Sequence, residues 1–168
     1  MPEQPDTLFR KSFEVRWDDV DVNGHLRNTR YLECASTARM ALLAALGWTV
    51  RDLLREGRTA VMLAEEAQYL AEVFPAERVE VSCELVAGSE DGSRFRFRHV
   101  VSRPDGSPAA VVHALGAWLS LSTRRISAPP DPLRKALEGL RTPDYVPLAA
   151  ARRGQGQGGG SPEKGARP

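Results

Sequence analysis

The sequence predicts an α+β domain in which one long helix packs on an antiparallel sheet. Three observations carry that expectation. Apolar residues recur with a helical period between Asn28 and Gly47, the period changes to two after Gly57, and two turn-rich breaks space the later strands as a meander.

The elements follow in order. Phe13, Val15 and Trp17 alternate with Glu14 and Arg16, the mark of a short strand with one buried face. A polar loop occupies 18–28. Tyr31, Ala35, Ala38, Leu42 and Ala45 then fall at steps of three and four, and Leu32, Leu43 and Leu46 widen the stripe. Asn28 is placed to cap this helix, Glu33 suits its first turn, and Gly47 suits its end. Small residues along it, among them Ala35, Ser36, Ala38 and Ala41, let it lie close against a sheet. A short second helix is expected over 50–56, closed by Gly57.

Residues 59–72 read as a strand whose alternation breaks at Ala64-Glu65-Glu66-Ala67. Within 77–87, Val79, Val81, Cys83 and Leu85 alternate with Glu80, Ser82 and Glu84. Within 93–102, Phe95, Phe97 and His99 share one face and Arg94, Arg96 and Arg98 the other. The stretch 109–122 is apolar on both sides. Gly88-Ser89-Glu90-Asp91-Gly92 and Pro104-Asp105-Gly106-Ser107 turn these strands into a meander. The arginine stripe reads as a solvated sheet face, with Glu80 and Glu84 as cross-strand partners. His99 reads as a satisfied core residue. Cys34 reads as packing, because no histidine stands at a helical spacing to activate it. Such a sheet leaves open edges, which implies pairing with a second copy.

Composition bounds the function. The chain has 168 residues with 23 Lys+Arg and 22 Asp+Glu, a formal net charge of +1. That balance excludes a nucleic-acid protein working through a basic surface. No apolar run approaches the roughly 20 residues of a bilayer span. The segment MPEQPDTLFRKSF lacks the apolar stretch of a signal peptide. Cys34 and Cys83 lie far apart and give no disulfide framework; together these features imply a cytoplasmic protein. Residues 149–168 hold Arg152, Arg153, Lys164 and Arg167 against Glu163 alone, a net of +3, with six of the fourteen glycines. They read as a disordered, basic, Gly-rich tail. Residues 1–148 then form the single folded domain, with 19 basic and 21 acidic residues.

The loop Asp18-Asp19-Val20-Asp21-Val22-Asn23-Gly24-His25-Leu26-Arg27-Asn28 is the polar cluster unlike the rest. Three readings compete for it. Asp19, Asp21, Asn23 and Gly24 match the first, third, fifth and sixth positions of a calcium-binding EF-hand loop. The twelfth position, however, is Arg30 where a bidentate Glu is required, and a strand precedes the loop instead of a helix. No metal and no cofactor are expected. Turn formation and capping account for Asn28, yet capping uses one side chain and leaves Asp21, Asn23 and His25 at alternate positions unexplained. The third reading is hydrolysis of an activated acyl group. Free N–H groups at a helix start polarise a thioester carbonyl and hold the oxyanion that forms. Asp21, a few residues earlier, activates water or attacks directly, and Asn23 and His25 orient it.

The stretch 15–39, VRWDDVDVNGHLRNTRYLECASTAR, resembles the signature of hotdog-fold thioesterases of the 4-hydroxybenzoyl-CoA thioesterase-like group. The matching positions are Asp19, Asp21, Gly24, His25, Asn28, Tyr31, Leu32, Ala38 and Arg39. The resemblance implies a hotdog fold, a curled sheet of about five strands around one long helix, and hydrolysis of an acyl-CoA thioester. It puts the catalytic carboxylate on Asp21, as general base or nucleophile, and the polarising backbone N–H near Asn28. Residues 21–25 are also similar to the Asp-Val-Asn-Gln-His segment of plant acyl-ACP thioesterases. That similarity implies Asn23 and His25 in the catalytic set and leaves acyl carrier protein open as the carrier. Gly24, Tyr31 and Arg27 fall on the substrate side, Arg27 joining Arg30, Arg124 and Arg125 as candidates for the CoA phosphates. Glu65 or Glu66 is the candidate second acid, supplied by a partner subunit. The assembly implied is a homodimer or homotetramer with the acyl pocket between subunits. Enoyl-CoA hydratases of this fold resemble a different spacing, Asp and His separated by four residues, whereas three separate Asp21 from His25. A non-catalytic acyl-CoA-binding module on the same fold is the alternative.

Overall fold

The computed structural model describes residues 8–148. The expected tail, 149–168, lies outside the described residues. In chain order the elements are β1 (Phe9–Glu14), a 3-10 turn (Trp17–Asp19), α1 (Asn28–Ala45), α2 (Val50–Arg55), β2 (Arg58–Tyr69), β3 (Arg78–Gly88), β4 (Arg94–Ser102), β5 (Pro108–Ser120), α3 (Asp131–Glu138) and β6 (Arg141–Pro147). The sheet order is β1-β3-β4-β5-β2, all antiparallel, and β6 pairs in parallel with β3 beyond the end of β1.

Helix α1 packs against β1 and β2 as well as β3 and β5. Since β1 and β2 stand at opposite ends of the strand order, one helix touching both means that the sheet curls around it. Ala35 and Ala38 are fully buried beneath it and belong to one apolar cluster with Tyr31, Leu42, Val81 and Val112. Their small side chains permit the close approach that the sequence leads one to expect.

Several elements depart from expectation. The first strand sits further toward the N-terminus and ends at Glu14, while Trp17 opens the 3-10 turn and is 83% exposed. The cause is the backbone after Glu14. Val15 exchanges hydrogen bonds with Glu77 and Ala76, and the Asp19 carboxylate captures the Arg16 N–H at 3.0 Å, which bends the chain. Asn28 is the first residue of α1 and not its cap; Arg27 holds the cap position and no side chain caps the helix. Gly47 ends α1 as expected, in the left-handed region at φ +83°. Strand β2 runs straight through Ala64–Ala67, and its irregularity lies between Met62 and Ala64. It stops at Tyr69 because the N–H groups of Leu70 and Ala71 both turn to the Ala109 carbonyl, at 2.8 and 3.1 Å.

The sequence pattern announces neither α3 nor β6. Leu133 and Leu137 of α3 join the main core, and β6 covers part of the expected solvated arginine stripe. Arg98 bonds Glu84 of β3 at 2.7 Å, as the cross-strand reading requires, and also Asp144 of β6 at 2.8 Å. Glu80 stands opposite Ser12 and Ser102 and meets no arginine of the stripe across its ladders.

His99 is buried as expected, and its tautomer follows from its neighbours. Arg39 can only donate, so His99 Nε2 accepts from Arg39 Nη1 at 3.1 Å while Nδ1–H donates to the Ser82 carbonyl at 2.8 Å. Burial, aided by the Arg39 guanidinium, pushes the imidazole down to about 4. The unfolded chain takes up this proton near pH 6.5, so the stability contributed by the neutral ring is complete above that pH and drains away as pH falls toward 4. Between pH 7 and pH 5 the loss is about 2 kcal/mol. Urea unfolding at the two pH values measures it, and an unchanged midpoint would contradict a neutral buried His99.

Candidate active site

The loop before α1 is built on a buried acid. Asp19 is 1% exposed. Its Oδ2 accepts the Arg16 N–H, its Oδ1 pairs with Arg30 Nε at 3.0 Å, and its carbonyl accepts the Arg27 N–H at 3.0 Å. Arg27 reaches back to donate to the Asp18 carbonyl at 2.6 Å. The end of the 3-10 turn and the start of α1 are thereby tied together.

The tip of the loop closes on itself. Val20 and Leu26 form an isolated antiparallel bridge, the Asp21 N–H donates to the His25 carbonyl at 3.1 Å, and the Gly24 N–H donates to the Asp21 carbonyl at 3.0 Å. Gly24 lies at φ +79°, a conformation that a side chain disfavours. Leu26 is buried, and its N–H bonds the Val73 carbonyl at 2.8 Å, which holds the tip against the segment after β2.

Asp21 is half-buried at this tip. Its Oδ1 accepts the Asn23 N–H at 2.8 Å and its Oδ2 accepts Asn23 Nδ2–H at 3.4 Å. The carboxylate is thus oriented by one neighbour. It faces a cleft of about 380 Å³ lined also by His25, Asn28, Tyr31, Tyr69 and Glu72. Asn28 brings the uncapped first turn of α1 to this cleft, with its partial positive charge. The Tyr69 hydroxyl donates to the Asn28 carbonyl at 3.3 Å. The Tyr31 and Tyr69 rings meet edge to face, 5.4 Å apart at 67°. Burial, then Tyr69 and Asp21, push the Tyr31 phenol above its usual value, so it stays protonated. His25 Nε2 lies 3.7 Å from Glu72 Oε1. A carboxylate and a helix start on one cleft can activate water and hold an oxyanion at the same carbonyl.

The structure gathers Asp21, Asn23, His25, Asn28 and Tyr31, with Gly24 making the turn. Arg27, Arg30 and Glu65 are engaged with other partners. Arg27 holds the loop and Arg30 pairs with Asp19 and Glu33. Glu65 lies outside the lining of the cleft, and its carboxylate accepts from the buried Arg39 at 3.0 Å. Tyr69 and Glu72 are the polar lining residues that the sequence reading passed over, beside the apolar Leu26, Leu70 and Ala71. Their signal is faint, a strand ending that no turn residue marks. Asp19 and Asp21 engage different partners, Arg30 and Asn23, unlike the convergent carboxylates of a calcium loop. Burial pushes the Cys34 thiol up to about 11, in keeping with packing and not nucleophilic chemistry.

A curled sheet on one long helix, with an acidic loop at the helix start, is the hotdog architecture. The sequence pattern of the thioesterase-like superfamily matches residues 15–137, and the chain belongs to that superfamily. An L-carnitine dehydrogenase/betainyl-CoA thioesterase of Agrobacterium fabrum is 30% identical over 129 residues, 77% of this chain and 26% of that protein. A betainyl-CoA thioesterase of Pseudomonas aeruginosa is 33% identical over 90 residues, 54% of this chain and 55% of that protein. The chain thus spans about a quarter and about half of these two relatives. Among solved structures, a Staphylococcus aureus hypothetical protein in complex with CoA superposes with a TM-score of 0.76 at 18% identity, covering 96% of this chain and 100% of that one. A 1,4-dihydroxy-2-naphthoyl-CoA thioesterase from Synechocystis gives 0.71 at 16% identity, covering 79% and 97%. These likenesses establish the fold. Among the described residues, no helix is long and apolar enough to cross a membrane.

The buried acid gives a direct test of how the loop is held. Asp19→Asn keeps the shape but removes the charge that Arg30 meets, and is expected to cost about 2 kcal/mol of folding stability. Chemical denaturation at pH 7 measures this, and a cost near zero would show that the loop is held by other means.

Proposed function

We propose that this chain hydrolyses an acyl-CoA thioester to the free acid and CoA. The observation that carries the reading is the shared cleft of Asp21 and the uncapped first turn of α1. The substrate carbonyl accepts from backbone N–H groups of that turn. As general base, Asp21 takes a proton from water while the oxygen attacks the carbonyl carbon; the tetrahedral oxyanion then collapses and the CoA thiolate leaves. As nucleophile, the same carboxylate forms an acyl anhydride with loss of CoA, and water cleaves it. Asn23 orients the carboxylate in either route, and His25 borders the same cleft. Membership of the thioesterase-like superfamily supports the reaction class. The names of the two relatives make betainyl-CoA the first substrate to assay. Thiol release by the wild type across short, long and aromatic acyl-CoAs, with Asp21→Ala alongside, tests the assignment. A loss of about 100-fold in rate, about 2.7 kcal/mol, is expected. Equal rates would remove Asp21 from the mechanism, and acyl-CoA binding without turnover would favour a non-catalytic module.

We also infer a homodimer joined along β2. This strand ends the sheet order and exposes Met62 and Leu63. An open edge carrying apolar side chains supports pairing with its own copy across a two-fold axis. Sedimentation equilibrium is expected to return twice the chain mass, and Leu63→Lys is expected to shift it toward the monomer. A wild-type monomer at micromolar concentration would overturn the inference.

A further inference from the structure

We propose that Glu72, with the ring of Tyr69, forms a subsite for a quaternary ammonium group carried on a short acyl chain. The proposal rests on the thioester-hydrolase reading above and deepens it by naming the chemistry of the acyl group.

The lining of the cleft has the composition such a cation requires. Its charged side chains are Asp21 and Glu72, with His25 beside them, and neither Lys nor Arg contributes. The Tyr69 ring, 47% exposed, forms the aromatic wall, and the buried Tyr31 ring braces it edge to face at 67°. A quaternary ammonium has no N–H to donate. It is held instead by an aromatic face and by the diffuse field of a carboxylate, which is what Tyr69 and Glu72 offer. An ordinary fatty chain would gain nothing from the acids and would leave them desolvated.

The two acids are not equivalent. Both oxygens of Asp21 are met by Asn23, and Asp21 stands on the tip that faces the reacting carbonyl. Glu72 is mostly exposed, and its contact to His25 at 3.7 Å is longer than a good hydrogen bond. Its carboxylate is therefore free to turn toward an incoming cation. Position also limits the length of the acyl group. Tyr69 is tied by its hydroxyl to the Asn28 carbonyl, at the helix start where the thioester carbonyl would be held. A cation lying against that ring is consequently near the carbonyl, which suits a short acyl chain.

The decisive comparison is between betainyl-CoA and 3,3-dimethylbutyryl-CoA, which has the same shape with carbon in place of the charged nitrogen. In the wild type, kcat/KM for the cationic thioester is expected to exceed that for the neutral one by at least about 30-fold. Glu72→Gln and Tyr69→Leu are each expected to lower that ratio by about fivefold or more. Both positions are largely exposed, so both variants are expected to fold, and thermal melts verify this. A wild-type ratio near one would overturn the subsite while leaving the hydrolase reading intact. An unchanged ratio in both variants would remove these residues from it. Should neither thioester be cleaved, calorimetry with the methylene-inserted ketone analogues of the two substrates gives the same ratio without turnover. A preference for the cationic analogue would then sustain the subsite although hydrolysis had failed, and no preference would overturn it.

Discussion

The Asp19 carboxylate is the point from which the geometry of the candidate site is set. A charge taken this far from water costs several kcal/mol unless it is matched by donors. Here the match comes from both sides of the loop, a backbone N–H of Arg16 before it and the Arg30 side chain after it. Because Arg30 stands within the first turn of α1, satisfying Asp19 fixes where the helix begins relative to the loop tip. Asp21, two residues on, inherits its position from that constraint. The loop is thus a spacer between an acid and a helix start, held by the Asp19 charge contacts together with the buried Leu26 at its tip.

A second buried charge fastens the same helix further along. Arg39, on the buried face of α1, divides its donors between His99 of β4 and Glu65 of β2. Between Arg30 and Arg39 the buried face is built mainly of small residues, Cys34, Ala35 and Ala38. Such a surface packs closely but gives little resistance to sliding, because apolar attraction has no direction. Directed charge contacts on either side of it supply the missing register along the helix axis. This arrangement also accounts for Glu65. Glu65 pairs with the buried Arg39 of its own chain, and the exposed Glu72 is the second carboxylate lining the cleft.

Much of this was legible in the chain because one-sided burial writes itself as periodicity. Helix α1, the β3-β4-β5 meander and the acidic loop each carry a local pattern that the fold preserves. What was hidden depends on contacts distant in sequence. The end of β1 is decided by Glu77, more than sixty residues after the strand, and the start of α1 by Asp19 and not by Asn28. Helix α3 is only eight residues long, and β6, with Pro143 and Pro147, pairs with β3 over a short parallel contact that no alternation announces. The cleft itself was half legible. The contribution of 21–31 lies in a contiguous motif, whereas Tyr69 and Glu72 arrive from the far end of a strand and are recognised only when the chain is folded.

The two outer edges of the sheet are unequal, and the inequality bears on how copies of this chain can accumulate. Strand β2 has twelve residues, while β1 has six and carries Arg10, Lys11 and Glu14. Joining unlike edges, β1 of one copy to β2 of the next, would make a head-to-tail ribbon with no natural end. A short, charged β1 is a poor template for that growth. Joining like edges at β2 closes after two copies, since each protomer then has its one long edge covered. The brevity and charge of the first strand thus disfavour head-to-tail growth of the sheet.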